Sequence, residues 1–155
     1  MRKPLLIFML LLPMLAHAAN DAVFRHSVNK PMESVYSAVY NALEEQNFYV
    51  VFEANIGKNL ASFAEKWGEE YNKNKLDGIR SMVFCNGWYA NQVSNLDVNM
   101  LALCPLHITL IEKAGATTVL FVRPSVVAVG SSAQSVLLEV EEKIIKAIKQ
   151  ASSAP

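Results

Sequence analysis

The sequence predicts an α+β domain: an antiparallel sheet of about five strands covered on one face by two long helices, with a further amphipathic helix inserted. Three observations lead there. Residues 31–46 and 131–150 repeat apolar side chains at helical spacing. Shorter stretches between them are dense in β-branched and aromatic residues. The order is also strand, helix, strand, inserted helix, three strands, helix. A run of strands beside two long amphipathic helices indicates an antiparallel sheet covered on one face.

Residues 22–28 have strand character, with Phe24, His26 and Val28 on one face. Asn29-Lys30-Pro31 opens the first helix, since proline suits the first helical position and Glu33 complements the N-terminal dipole. Met32, Val35, Tyr36, Val39, Tyr40 and Leu43 then recur at three- and four-residue steps, carrying it to about Gln46. Residues 48–52, Phe-Tyr-Val-Val-Phe, predict a buried strand, and Gly57 breaks it. Leu60, Phe63, Trp67 and Tyr71 predict an amphipathic helix over 59–71, weakened by Gly68 and followed by a polar linker, 72–75.

Residues 79–85 return to strand composition, and 86–103 holds no strong strand pattern, only a short helix near 89–95. Strands over 106–113 and 117–123 flank Ala114-Gly115, the signature of a tight hairpin. Pro124 ends the second, because it cannot donate to a ladder. Ser131 or Ser132 caps the last helix, where Val136, Val140, Ile144, Ala147 and Ile148 form the apolar stripe. Its acids (Glu139, Glu141, Glu142) come first and its lysines (Lys143, Lys146, Lys149) last, as the helix dipole favours. Residues 151–155 read as a loose tail.

The N-terminus carries Arg2-Lys3, an apolar run over 5–15 and Ala16-His17-Ala18: a secretory signal peptide, 1–18, cleaved after Ala18. The run is short and interrupted by Pro13, whereas a spanning helix needs about 20 residues, so no transmembrane segment is expected after cleavage. The expected location is the periplasm or the exterior, with a single domain over 19–150. Loss of Arg2 and Lys3 takes the formal charge from zero to −2, which excludes the global basic field of sequence-independent nucleic-acid binding. With 52% apolar residues, the chain has the means to bury a core.

Three pieces of the chain resemble a known family. They are Lys30-Pro31 through Phe48-Tyr49-Val50, Phe84-Cys85-Asn86 followed by Ala90, and Cys104-Pro105-Leu106-His107-Ile108 leading through Gly115 to Val119 and Arg123-Pro124. The family is the bacterial domain of unknown function number 302. The resemblance implies a two-layer sandwich related to TATA-binding-protein-like folds, often dimeric, with no established activity. The chain departs from the pattern at Gly87, where a proline is usual. Cys104 precedes Pro105 where the family's cysteine follows it, and the segment 57–78 is longer than expected.

The cysteines are the most informative pair. Cys85 ends one strand and Cys104 starts the next, so their ends meet if the strands are neighbours. An oxidising compartment makes them candidates for a structural disulfide, with two buried thiols or a redox or metal role as alternatives. His107 makes a weak third ligand for copper or zinc, since a strand sets it and Cys104 on opposite faces unless Pro105 bends the chain. A satisfied or exposed histidine is the simpler reading of His107, and of His26 too. No C-x-x-C, nucleophile elbow or phosphate loop occurs. Ser131 and Ser132 read as helix caps, and Glu44, Glu45, Glu69 and Glu70 as solvated surface.

The aromatics remain. Phe63, Trp67 and Tyr71 share a helical face, and Trp88 and Tyr89 follow the Cys85-Asn86-Gly87 turn. They are either core or the lining of a ligand or partner surface. With no catalytic constellation, the leading expectation is an exported, non-catalytic domain that binds a small apolar or sulfur-containing ligand, or a protein partner. The rivals are a thiol-redox or metal-handling protein using Cys85, Cys104 and His107, and a structural homodimer. As core, Trp67 is expected to be buried against the domain or against a second copy.

Overall fold

The computed structural model describes residues 22–153. The expected signal peptide and the last two tail residues lie outside the described residues. The elements run β1 (Val23–Val28), α1 (Met32–Glu45), β2 (Tyr49–Ala54), α2 (Ile56–Ala61), α3 (Ala64–Trp67), β3 (Gly78–Cys85), α4 (Gly87–Leu96), β4 (Leu106–Lys113), β5 (Ala116–Val122), α5 (Pro124–Val127) and α6 (Gln134–Ser153). All pairings are antiparallel, in the order β1-β5-β4-β3-β2. No described helix is long and apolar enough to cross a membrane.

The expected α+β architecture holds, and the core explains why. Val35, Val39 and Leu43 of α1 and Val140, Ile144 and Ile148 of α6 pack on Met82, Phe84, Ile108, Leu110, Val119 and Phe121 of the sheet. Strand periodicity puts these sheet residues on one face, and register aligns them: Phe84 faces Leu106, Met82 faces Ile108, and Ile108 faces Phe121. Phe24, His26 and Val28 of β1 pair with Phe121, Val119 and Thr117 on this side, while Arg25 and His107 are exposed. The β4–β5 hairpin turns at Ala114 and Gly115, both at positive φ (51° and 75°), a conformation that glycine adopts freely.

Four expectations are corrected. Pro31 is the residue before α1, in extended conformation, and is not its first turn. Residues 48–52 do not form a buried strand: only Phe48 is buried, and β2 is an edge strand with Tyr49, Val51 and Phe52 exposed. A bulge at Val51, between the pairs Val50–Phe84 and Phe52–Val83, shifts the later residues to the other face. The stretch 59–71 is not one helix. The chain turns after α2, forms the single turn of α3, and passes Gly68 at φ 50° into a 3-10 turn, Gly68–Glu70. Residues 151–153 continue α6, with the Ser152 hydroxyl bonded to the Ile148 carbonyl at 2.7 Å.

The segment 86–103 is also more ordered than its sequence suggests: α4 is followed by a 3-10 helix, Val98–Leu103. Val93 packs there with Ala128, Ala133 and Leu137 in a second small core. Ser131 and Ser132 do secure the entrance to α6. The Ser131 hydroxyl accepts from the Ala133 N–H (3.1 Å) and donates to Asp97 (2.7 Å), and the Ser132 hydroxyl donates to the Leu96 carbonyl (2.6 Å).

Candidate functional site

A cleft of about 680 Å³ lies between the 56–77 segment and the Gly78 end of β3. Its size is that of an ordinary small-molecule site. Several local features hold it open. The Asn55 side chain caps α2 through the Lys58 N–H at 2.9 Å. Gly57 sits against β3 so closely that a Cβ there would meet the Ile79 nitrogen at 3.0 Å, which seats α2 on the sheet. On the far wall Asn72 closes its loop on Leu76, accepting from the N–H and donating to the carbonyl, each at 2.9 Å. Asp77 ties this loop to the hairpin, accepting from the Ala114 N–H at 2.6 Å.

Trp67, Tyr71, Leu60, Ile79 and Met32 give the cleft its apolar lining. Trp67 stacks on Phe63 with centroids 5.1 Å apart, yet the two remain 40% and 46% exposed. The expected burial of Trp67 within the domain is therefore not found, because no long helix exists to press it onto the sheet. Among the cleft's charges, Lys73 is paired with Glu70 at 2.5 Å, while Lys58 has no ion pair among the described residues. Sequence reasoning found Trp67 and Tyr71 but missed Lys58, Leu60, Ile79 and Met32. The local signals were the spacing of Leu60 with Trp67 and Tyr71 and the Asn55 cap, three residues before Lys58.

The five aromatics singled out from the sequence do not form one surface. Phe63, Trp67 and Tyr71 belong to the Gly78 end of β3, whereas Trp88 and Tyr89 follow its Cys85 end. An eight-residue strand separates these ends, roughly 23 Å at the strand rise. A ligand site at the aromatic insertion is thus remote from the thiols.

At the Cys85 end the Cys85 and Cys104 sulfurs are 3.3 Å apart, both half-buried. They line a small apolar cavity of about 30 Å³ with Phe48, Phe84, Tyr89 and Leu103. Burial, and then the neighbouring Cys85, pushes the Cys104 thiol up to about 11. Reactive thiolates need the opposite shift. His107 does not join the sulfurs. The ladder places it opposite Val83, two residues into β3 from Cys85, and it is exposed. Among the described residues no group of three His, Cys, Asp or Glu side chains is placed to hold a metal ion, so these residues do not fit a copper or zinc site.

Trp88 is exposed, but Tyr89 is fixed between layers: its ring stacks on Phe48 and its hydroxyl donates to Glu139 at 2.5 Å. Burial, then the bond and charge of Glu139, push the Tyr89 hydroxyl up to about 12. The folded protein thus holds this proton more tightly than the unfolded chain does. The linked stability is complete below the ordinary tyrosine range, about pH 10, and is lost as pH rises through about 12. In melting curves between pH 9 and 12, Tyr89→Phe is expected to flatten the alkaline decline. A slope equal to the wild type would refute the linkage.

A buried carboxylate also escaped sequence reasoning. Glu141, one of the three acids whose position suits the dipole of α6, is buried. It accepts from Arg123 Nε at 2.7 Å, from the Ser125 N–H at 3.0 Å and from the Ser125 hydroxyl. It ties the start of α5 to the middle of α6, and its lone pairs are used within the fold.

Residues 24–151 match the family model described as "Domain of unknown function DUF302". The chain belongs to the DUF302 family. A solved DUF302 structure, the crystal structure of an uncharacterized conserved protein from Bacillus stearothermophilus, superposes with a TM-score of 0.71. The match covers 84% of this chain and 98% of that one at 12% identity, and at that identity the likeness concerns the fold alone. No curated protein matches. The DUF302 sheet and its two covering helices are thus shared.

Proposed function

We propose that this DUF302 protein is an exported binding domain, acting in the periplasm or outside the cell, whose ligand is a small molecule with an apolar or aromatic body. The single observation that carries the reading is the cleft of about 680 Å³ walled by half-exposed Trp67, by Tyr71 and by Leu60. Leaving such side chains partly wet forgoes the stabilisation of full burial. A ligand that covers them recovers it. Lys58 at the same cleft offers a cation to an anionic group on the ligand, while Asp77, an acid of the same lining, is engaged with the Ala114 N–H. The thiols lie too far away to recognise sulfur there, so the apolar body is the feature that matters.

The test uses 1-anilinonaphthalene-8-sulfonate, an aromatic anion, as a fluorescent probe, together with native mass spectrometry of protein purified from a bacterial periplasm. The wild type is expected to bind the probe, and Trp67→Ala to weaken binding at least tenfold while costing only about 1 kcal/mol of stability, as for a partly exposed side chain. Equal binding by wild type and variant overturns the cleft as the site. A stability loss of about 3–5 kcal/mol returns Trp67 to the core.

A second reading, self-association through the edge strand, is favoured by Tyr49, Val51 and Phe52, which are more than half exposed along β2. Sedimentation of the wild type and Phe52→Lys at micromolar concentration separates a dimer from a monomer.

A further inference from the structure

The thiol pair stands independently of the cleft. Cys85 is the last residue of β3, Cys104 precedes Pro105 and β4, and the ladder between these strands ends at Phe84–Leu106. The two cysteines therefore flank the final rung of one antiparallel pair. We propose that Cys85 and Cys104 are joined by an intramolecular disulfide in the mature protein, a staple that fastens α4 and the following 3-10 helix to the sheet.

Geometry carries the assignment. The sulfurs are 3.3 Å apart, and bonding brings them closer by only about 1.3 Å, within the reach of small side-chain rotations. The chain has no third cysteine to compete for either. Both side chains are half-buried, so an oxidant can reach them, while the surroundings (Phe48, Phe84, Leu103) suit an apolar disulfide better than two thiols.

The oxidant is a disulfide-bearing one, either a thiol oxidase of the compartment or oxidised glutathione. One cysteine thiolate attacks a sulfur of that disulfide, forming a mixed disulfide and expelling the oxidant's first thiolate. The second cysteine, as thiolate, attacks the protein sulfur of the mixed disulfide, closes Cys85–Cys104 and expels the second thiolate. The protein loses two electrons and two protons, and the oxidant's disulfide is reduced to two thiols. The raised Cys104 thiol makes the pair a slow exchanger, which fits a bond formed once and kept.

The full chain, expressed with its own N-terminus and purified from the periplasm without reductant, is expected to gain about 2 Da on reduction, one hydrogen per sulfur. Both cysteines are expected to resist alkylation until then. Reduction is expected to lower the melting temperature by roughly 10 °C, from the loop-closure and size scalings. The Cys85→Ser/Cys104→Ser double variant is expected to melt like reduced wild type and to ignore reductant. Because that variant also alters packing, a second measurement equilibrates the reduced wild type with oxidised glutathione, which is expected to close the same bond in monomeric protein. Free thiols in the periplasmic protein, thiols that stay open in glutathione, or a disulfide between two chains would each overturn the proposal.

Discussion

Replacing Phe48 by alanine is expected to cost about 3–5 kcal/mol of unfolding free energy, the range for losing a large buried aromatic, and to fall at its upper end. The ring is 1% exposed, meets Phe84 edge-on at 6.1 Å and stacks on Tyr89 at 5.9 Å. It also already borders the small apolar cavity beside the thiols, so the vacated space adds to an existing void. Residual void is what sets the size of such losses. Urea unfolding should show a lower midpoint with an unchanged slope. Val51→Ala, a few residues along but on the exposed bulge, should stay within about 0.5 kcal/mol of wild type. Similar losses at the two positions would contradict the assignment of β2 as an edge strand hung on one buried anchor.

Arg123→Met is expected to cost about 3–5 kcal/mol, because it strands a carboxylate whose side chain is 2% exposed. Ser125 still donates to Glu141 from its N–H and hydroxyl, but two neutral donors do not replace a guanidinium. The sign is informative in the double variant. Arg123→Met/Glu141→Leu removes both charges and should recover much of the loss, since desolvating an ion pair offsets most of its attraction. A cycle in which the double variant is as damaged as the sum of the singles would mean that Arg123 and Glu141 act separately.

Much of the fold was legible because it follows from local periodicity. Val35, Val39 and Leu43, and Val140, Ile144 and Ile148, announce two helices whose stripes must be buried, and they are. Ala114-Gly115 announces a hairpin because the turn demands positive φ. The same reasoning failed at 59–71. Leu60, Phe63, Trp67 and Tyr71 have helical spacing, yet a stripe stabilises a helix only if a surface receives it. Here α2 alone rests on β3, and the chain turns away after Ala61. At 48–52, apolar density identified a strand but not its neighbours. Burial depends on what lies beside the strand, and no strand among the described residues pairs with the outer edge of β2.

The candidate site divides along the same line. Trp67 and Tyr71 stood out as aromatics without an assigned partner. Met32 belongs to the apolar stripe of α1 and Ile79 to a strand-rich stretch, and no local pattern marks Lys58. They share a cleft only because Gly57 lets α2 approach the start of β3. Glu141 was hidden for a related reason. On α6 it satisfies the dipole pattern as well as its exposed neighbours do, and only the return of the chain through Arg123 and Ser125 buries it.

Local periodicity and turn chemistry are enough for the fold class, the two covering helices and the hairpin, whereas the meeting of Cys85 with Cys104 depends on β3 and β4 lying side by side. Tertiary structure alone decided that β2 is an edge and that Glu141 is buried and paired. It also decided that the aromatics stand at two opposite ends of β3 and that His107 stays away from the thiols. These outcomes depend on which surfaces meet across the sheet. Periodicity tells each segment which face to bury but not what will cover it.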